Sequence, residues 1–218
     1  MSARGKHLTT ELFSQLRNAT AASHRRLDAE IDVCGEGLTL DRYGSLLMRF
    51  HGIFSTLEPQ LAAIRGLDEL DLDLDLARCC RTGWLSEDLE VLGMSNRGIL
   101  DIDESLYPHL VTAVPEALGC LYVVEGAGLG GQVILPWVQR QLGLTAAHGC
   151  RFFAGHGVAT GVRWRRLRAT ADEYARRTNT HARIEQSAAD LFQTFLLWFS
   201  EDAHGNGIER RAVVGRAV

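Results

Sequence analysis

Four of the six residues from Gly126 to Gly131 are glycine, within the stretch LYVVEGAGLGGQV (121–133). The spacing Gly126-x-Gly128-x-x-Gly131 satisfies the dinucleotide fingerprint, whose glycines let a pyrophosphate approach the backbone. That chemistry also requires a βαβ unit and a carboxylate about 20 residues on, to hold the ribose hydroxyl. No Asp or Glu occurs between Gly126 and Ala171, and no convincing strand pattern follows. No Gly-Lys-Ser/Thr closes a phosphate loop either. The remaining reading is a helix bare of side chains along one face, since Gly126 and Gly130 stand four residues apart. Each glycine inside a helix costs roughly 0.8–1.0 kcal/mol relative to alanine. Such a cost is tolerated where another helix packs closely, or where a planar ligand lies against the backbone. Both uses stay open at this level.

His24 is the second residue with chemical potential. It lies on an apolar stripe of Leu12, Leu16, Thr20, Leu27 and Ile31, spaced by threes and fours as one face of a helix. A histidine there is either a satisfied core residue or a ligand. Imidazole is the usual axial ligand of a haem in an oxygen-binding pocket. Arg17 stands two turns earlier on the same face, where a cation can pair with a carboxylate at a ligand's edge. A histidine, a cation and a bare glycine strip together describe a sandwich for a flat, dianionic macrocycle.

The elements that must position these residues read as helices. Thr10 can cap the helix bearing His24, and Thr39 can cap a second with Tyr43, Leu46, Leu47, Phe50, Ile53, Phe54 and Leu57 on one side. Residues 77–92 are weaker but helix-like. Pro115 suits the first turn of a helix running through the glycines. Further helical patterns run from Val158 to Arg177 and through Ile184, Ala188, Phe192, Phe195 and Phe199. The only strand-like alternation, Asp71 to Leu76, is short and lacks β-branched residues. The expectation is an all-α chain forming a single domain over 1–218, with a core of about 8–203 and a flexible tail over 204–218.

Composition narrows the setting. The 218-residue chain has a net charge of −4. Residues 126–171 hold six arginines and no acid, so that segment is +6 and the remainder −10. A basic segment behind a glycine cluster suits an anionic ligand or partner. With a pI of about 6.1 and no accompanying motif, it does not suit nucleic acid. No apolar run reads as a membrane span and no signal-peptide h-region opens the chain. Five cysteines without C-x-x-C spacing argue against a disulfide framework or zinc site, so a cytoplasmic location is expected.

Three segments resemble one family. ATAASHRRLD (19–28) is similar to the proximal-helix motif of haem oxygenases, and LYVVEGAGLGGQVI (121–134) to their distal-helix motif. FFAGHGVATGVRWRRL (152–167) resembles the glycine-rich turn and tryptophan-bearing helix of bacterial, biliverdin-producing members. Bacterial forms that supply biliverdin to phytochromes are the nearest subgroup in this respect. The resemblance implies haem held between a proximal and a distal helix and cleaved by O2, with electrons from an external donor, to biliverdin, CO and Fe2+. It implies His24 as the iron ligand, Asp28 near the haem edge, and Gly126 and Gly130 passing over the ring. Arg17 and Arg168 match positions that pair with propionates, Tyr122 lies at the rim, and Phe192 and Phe199 match aromatic positions that wall the pocket. For those two phenylalanines, ordinary core packing is an equal reading.

The chain departs from the animal pattern at Ala127, where those members place an aspartate that organises proton-relay waters. Glu125 cannot substitute, because two residues turn a helix by about 200°. Without flavin or nicotinamide motifs, electrons are expected from a ferredoxin or a flavin-containing reductase. Two other readings stay open: a non-enzymatic haem carrier or sensor using the same pocket, and a helical relative that binds another small ring compound, with His24 merely in the core.

Overall fold

The computed structural model describes residues 11–70, 72, 80–94 and 110–200. Its regular elements are α1 (Glu11–Ile31), α2 (Leu40–Ala62), α3 (Cys80–Val91), α4 (Val114–Leu142), the single turn α5 (Arg151–Ala154), α6 (Thr160–Thr178) and α7 (His181–Phe199). Among the described residues the only β-pairing is a pair of isolated bridges in the Thr145–Gly149 turn. The fold is all-α.

The helices form where spacing and capping predict them. Thr39 caps α2 by accepting a hydrogen bond from the Arg42 backbone N–H at 3.2 Å. Pro115 sits in the first turn of α4, where its missing N–H costs nothing. Left-handed Gly143 ends α4, and left-handed Asn179 ends α6. The pattern expected from Val158 is split, because a 3-10 turn over Gly157–Ala159 precedes α6. Thr10, Asp71, residues 73–76 and the tail from 204 lie outside the described residues.

α4 is the central element, packed against α7, α6 and α5, while α1 packs on α7 and α2 on α3. Two of its glycines make this approach possible. A Cβ on Gly119 would collide with the Ile184 carbonyl of α7, and one on Gly131 with the Phe153 carbonyl of α5. Close packing therefore does account for glycines in α4, at Gly119 and Gly131.

One sequence expectation needs correction here. α4 has 29 residues and is long and apolar enough to cross a membrane by length and composition alone. The interrupting glycines and one glutamate hid this run. Its Leu118, Leu121, Val124 and Glu125 are instead buried within the helical bundle.

Candidate haem site

Most of the α1 stripe is buried, with Leu12 and Leu16 fully so and Thr20 and Leu27 nearly so. His24 is the exception, with 58% of its side chain exposed. A satisfied core histidine would be covered, so this stretch of an inward face is open to something else. Its Nδ1 lies 3.0 Å from Asp28 Oδ2, one turn on. A carboxylate only accepts, so Nδ1 is the donor, and in the neutral imidazole Nε2 is left with its lone pair. That is the arrangement in which a second residue orients a metal-binding imidazole and raises its basicity. The Phe192 ring meets His24 edge-on at 5.7 Å and steadies it from α7.

A second group joins α1, α4 and α6. Phe13, Tyr122 and Trp164 form an aromatic triangle with centroid separations of 5.4–5.6 Å. The Arg168 guanidinium lies 5.3 Å from the Phe13 centroid. Its Nε is buried without a hydrogen-bond partner. A buried guanidinium N–H without a partner among the described residues is costly and fits the carboxylate of a ligand. Arg17 is exposed one turn along α1 from Phe13.

The glycines of the bare strip differ. A Cβ on Gly126 would touch Trp164 at 3.5 Å, an ordinary contact, whereas one on Gly130 would meet nothing within 4 Å. Phe199 lies elsewhere, against Phe50 at 5.0 Å and stacked on Phe195 at 6.2 Å, in the aromatic core. The structure thus places Phe192 beside His24 and sets Phe199 among core rings.

Sequence reasoning missed the polar cluster behind α4. Glu125 is 2% exposed and lies 2.9 Å from Arg81 Nη2 on α3 and 3.6 Å from Arg163 Nε on α6. Burial raises its pKa, but the Arg81 charge and hydrogen bond, with Arg163, outweigh that and hold the carboxyl below its usual range. Burial and the Arg163 charge push neighbouring His156 down to about 4, so its imidazole stays neutral. Arg151 lies 4.2 Å over the Trp84 ring, and Arg140 lies 4.6 Å over Trp137. The six arginines of the basic segment therefore do not form one surface. An apolar run interrupted by Glu125 was the available signal, but nothing in spacing pairs it with Arg81.

The haem oxygenase family model matches residues 10–201, nearly the whole chain. The chain belongs to the haem oxygenase family. A haem oxygenase of Xanthomonas campestris pv. campestris (strain 8004) is 30% identical over 173 residues, covering 74% of this chain and 91% of that protein. The NO- and CO-bound haem oxygenase of Neisseria meningitidis superposes with a TM-score of 0.73 at 21% identity, covering 92% of this chain and 96% of the other. Family membership makes this all-α protein a haem-degrading enzyme, with haem as its expected partner.

The site residues fit that group. The exposed imidazole of His24, the buried Arg168 Nε without a hydrogen-bond partner and the clear space at Gly130 would serve as a ligand, a counter-charge and room for a ring. A charge-assisted hydrogen bond is worth about 1.5–3 kcal/mol. Arg168→Ala is therefore expected to weaken hemin binding by about 10-fold or more, and Arg17→Ala by less because its side chain is exposed. Hemin titrations followed by the Soret band check this, with the biliverdin isomer ratio as a second readout of ring rotation. Wild-type affinity and isomer pattern in both variants would remove the arginines from the site.

Proposed function

We propose that this enzyme cleaves haem with O2 and externally supplied electrons to give biliverdin, CO and Fe2+. The observation that carries this reading is His24, exposed on an otherwise buried stripe with Nδ1 engaged by Asp28. Bound haem supplies the iron that activates dioxygen and the porphyrin that is consumed. The chain's own residues do the rest. His24 Nε2 ligates the metal, and Asp28 fixes the imidazole's tautomer and orientation. A neutral imidazole suits the task, because a thiolate ligand would favour O–O cleavage. Arg168 and Arg17 hold the propionates and so fix the rotation of the ring. Gly126 and Gly130 admit backbone where a side chain would fill the space needed by a steered diatomic ligand. Ala127 brings no carboxylate, so protons reach the site through waters held by backbone or other side chains.

A ferredoxin or a flavin-containing reductase supplies the electrons, approaching over exposed arginines that include Arg17, Arg165 and Arg166. A phytochrome is the recipient of biliverdin that the sequence resemblance implies. The free thiols of Cys34, Cys120 and Cys150 suit the reducing cytoplasm.

Adding hemin and following the visible spectrum tests the proposal. A Soret band that bleaches to a bilin spectrum with ascorbate in air is expected. A Soret band that survives ascorbate and oxygen would instead favour the carrier or sensor reading.

A further inference from the structure

We propose that Glu125 is a positioning residue for haem cleavage, holding the glycine segment of α4 at its working height through ion pairs with Arg81 and Arg163. The inference rests on the function proposed above.

Residues 126–130 are the least self-supporting part of α4, because three of the five are glycine and each weakens the helix. Their position must come from what grips α4 on either side. On the C-terminal side, Gly131 rests against the Phe153 carbonyl and Gln132 Nε2 donates to the Ala154 carbonyl at 3.1 Å. On the N-terminal side the grip is ionic. Arg81 Nη2 donates to Glu125 Oε1 at 2.9 Å and to the Val124 carbonyl at 3.4 Å, so it holds side chain and backbone together. Arg163 approaches the other carboxylate oxygen from α6.

Arg81 is itself fixed. Its backbone N–H donates to Glu58 Oε1 at 2.9 Å, while the Thr82 N–H and hydroxyl donate to Glu58 Oε2 at 3.1 and 2.6 Å. A polar seam therefore runs from α2 through α3 to α4 and α6, ending one residue before Gly126. A buried ion pair is weak evidence for stability, since apolar replacements of equal volume are often as stable. Fixing register is its better-attested use. A misplacement of about 1 Å can cost roughly 100-fold in rate, so a seam at this point has leverage on the chemistry. Glu125 acts through the glycines, because its carboxylate is buried on the side of α4 away from exposed Ala127.

The test uses the full chain and the variants Glu125→Gln, Glu125→Asp and Arg81→Lys. The readouts are apo-protein melting, hemin affinity, the C–O stretching band of the ferrous CO complex, and single-turnover biliverdin yield with its isomer ratio. Glu125→Gln should bind hemin nearly as tightly as wild type, because His24 and Arg168 are untouched. Its CO band should shift and broaden, and its yield rate per folded molecule should fall roughly 10- to 100-fold. Arg81→Lys should fall between, keeping the charge but losing the planar guanidinium whose Nη2 donates to both Glu125 Oε1 and the Val124 carbonyl. If Glu125→Gln does not fold, Glu125→Asp gives the same reading by shortening the reach at constant charge. Lower melting with a wild-type CO band and wild-type turnover would reduce Glu125 to a stability residue and overturn the proposal. Wild-type protein that binds no hemin, or leaves it intact, overturns the functional reading as well, so the two failures are distinguishable.

Discussion

His24→Ala is expected to abolish biliverdin formation while leaving the helical circular dichroism intact. The change deletes a side chain that is 58% exposed, and the buried members of its stripe stay in place. Exposed substitutions of this kind usually change stability by no more than about 0.5 kcal/mol. Alanine is also the better helix former. The chemical loss is total by comparison, because the variant lacks the proposed iron ligand, His24 Nε2. Free imidazole, entering the space vacated, should restore part of the activity. Asp28→Asn should have a graded effect, since losing an orienting partner typically costs 10- to 100-fold in metal affinity or activity. Hemin titration and single-turnover bilin yield measure both variants. Normal turnover by His24→Ala, or loss of its fold, would show that the iron ligand lies elsewhere.

α1, α2, α6 and α7 were legible in the sequence because each carries a periodic apolar stripe, and Thr39 and Pro115 marked the starts of α2 and α4. Whether a stripe is covered was not legible. The spacing put His24 on an inward face, but only the packing of α1 against α6 and α7 shows that face to be open there. Phe192 and Phe199 show the same limit. A spacing of seven puts both on one side of α7, yet that side is long enough for Phe192 to meet His24 and Phe199 to meet Phe50. The Glu125 seam was further out of reach. The carboxylate stood out in an apolar run, but Arg81 is 44 residues away and no periodicity links them. α5, a single turn, is too short to have a period at all.

The α4 glycines combine both cases, and substituting them separates packing from ligand approach. Gly130→Ala adds a methyl group where nothing lies within 4 Å, and it removes a glycine penalty of up to about 1 kcal/mol. Apo-protein melting should therefore hold or rise, by about 2–4 °C at most for a domain of this size. Turnover should fall all the same, because the methyl group occupies space the proposed reaction needs. Gly130→Leu should lose hemin binding or activity outright, with the apo fold retained. Gly131→Ala is the opposite case. Its methyl group meets the Phe153 carbonyl, a backbone atom that cannot swing aside, and overpacking of this kind costs about 1–3 kcal/mol. That variant should melt several degrees lower, yet turn over haem normally per folded molecule unless the strain shifts the neighbouring segment. Gly126→Ala falls between, with its methyl group in ordinary contact with Trp164. If Gly130→Ala lowered the melting temperature and kept a normal bilin yield per folded molecule, Gly130 would belong with Gly119 and Gly131 as a packing residue. The approach of backbone to haem would then have to be sought at another stretch of α4.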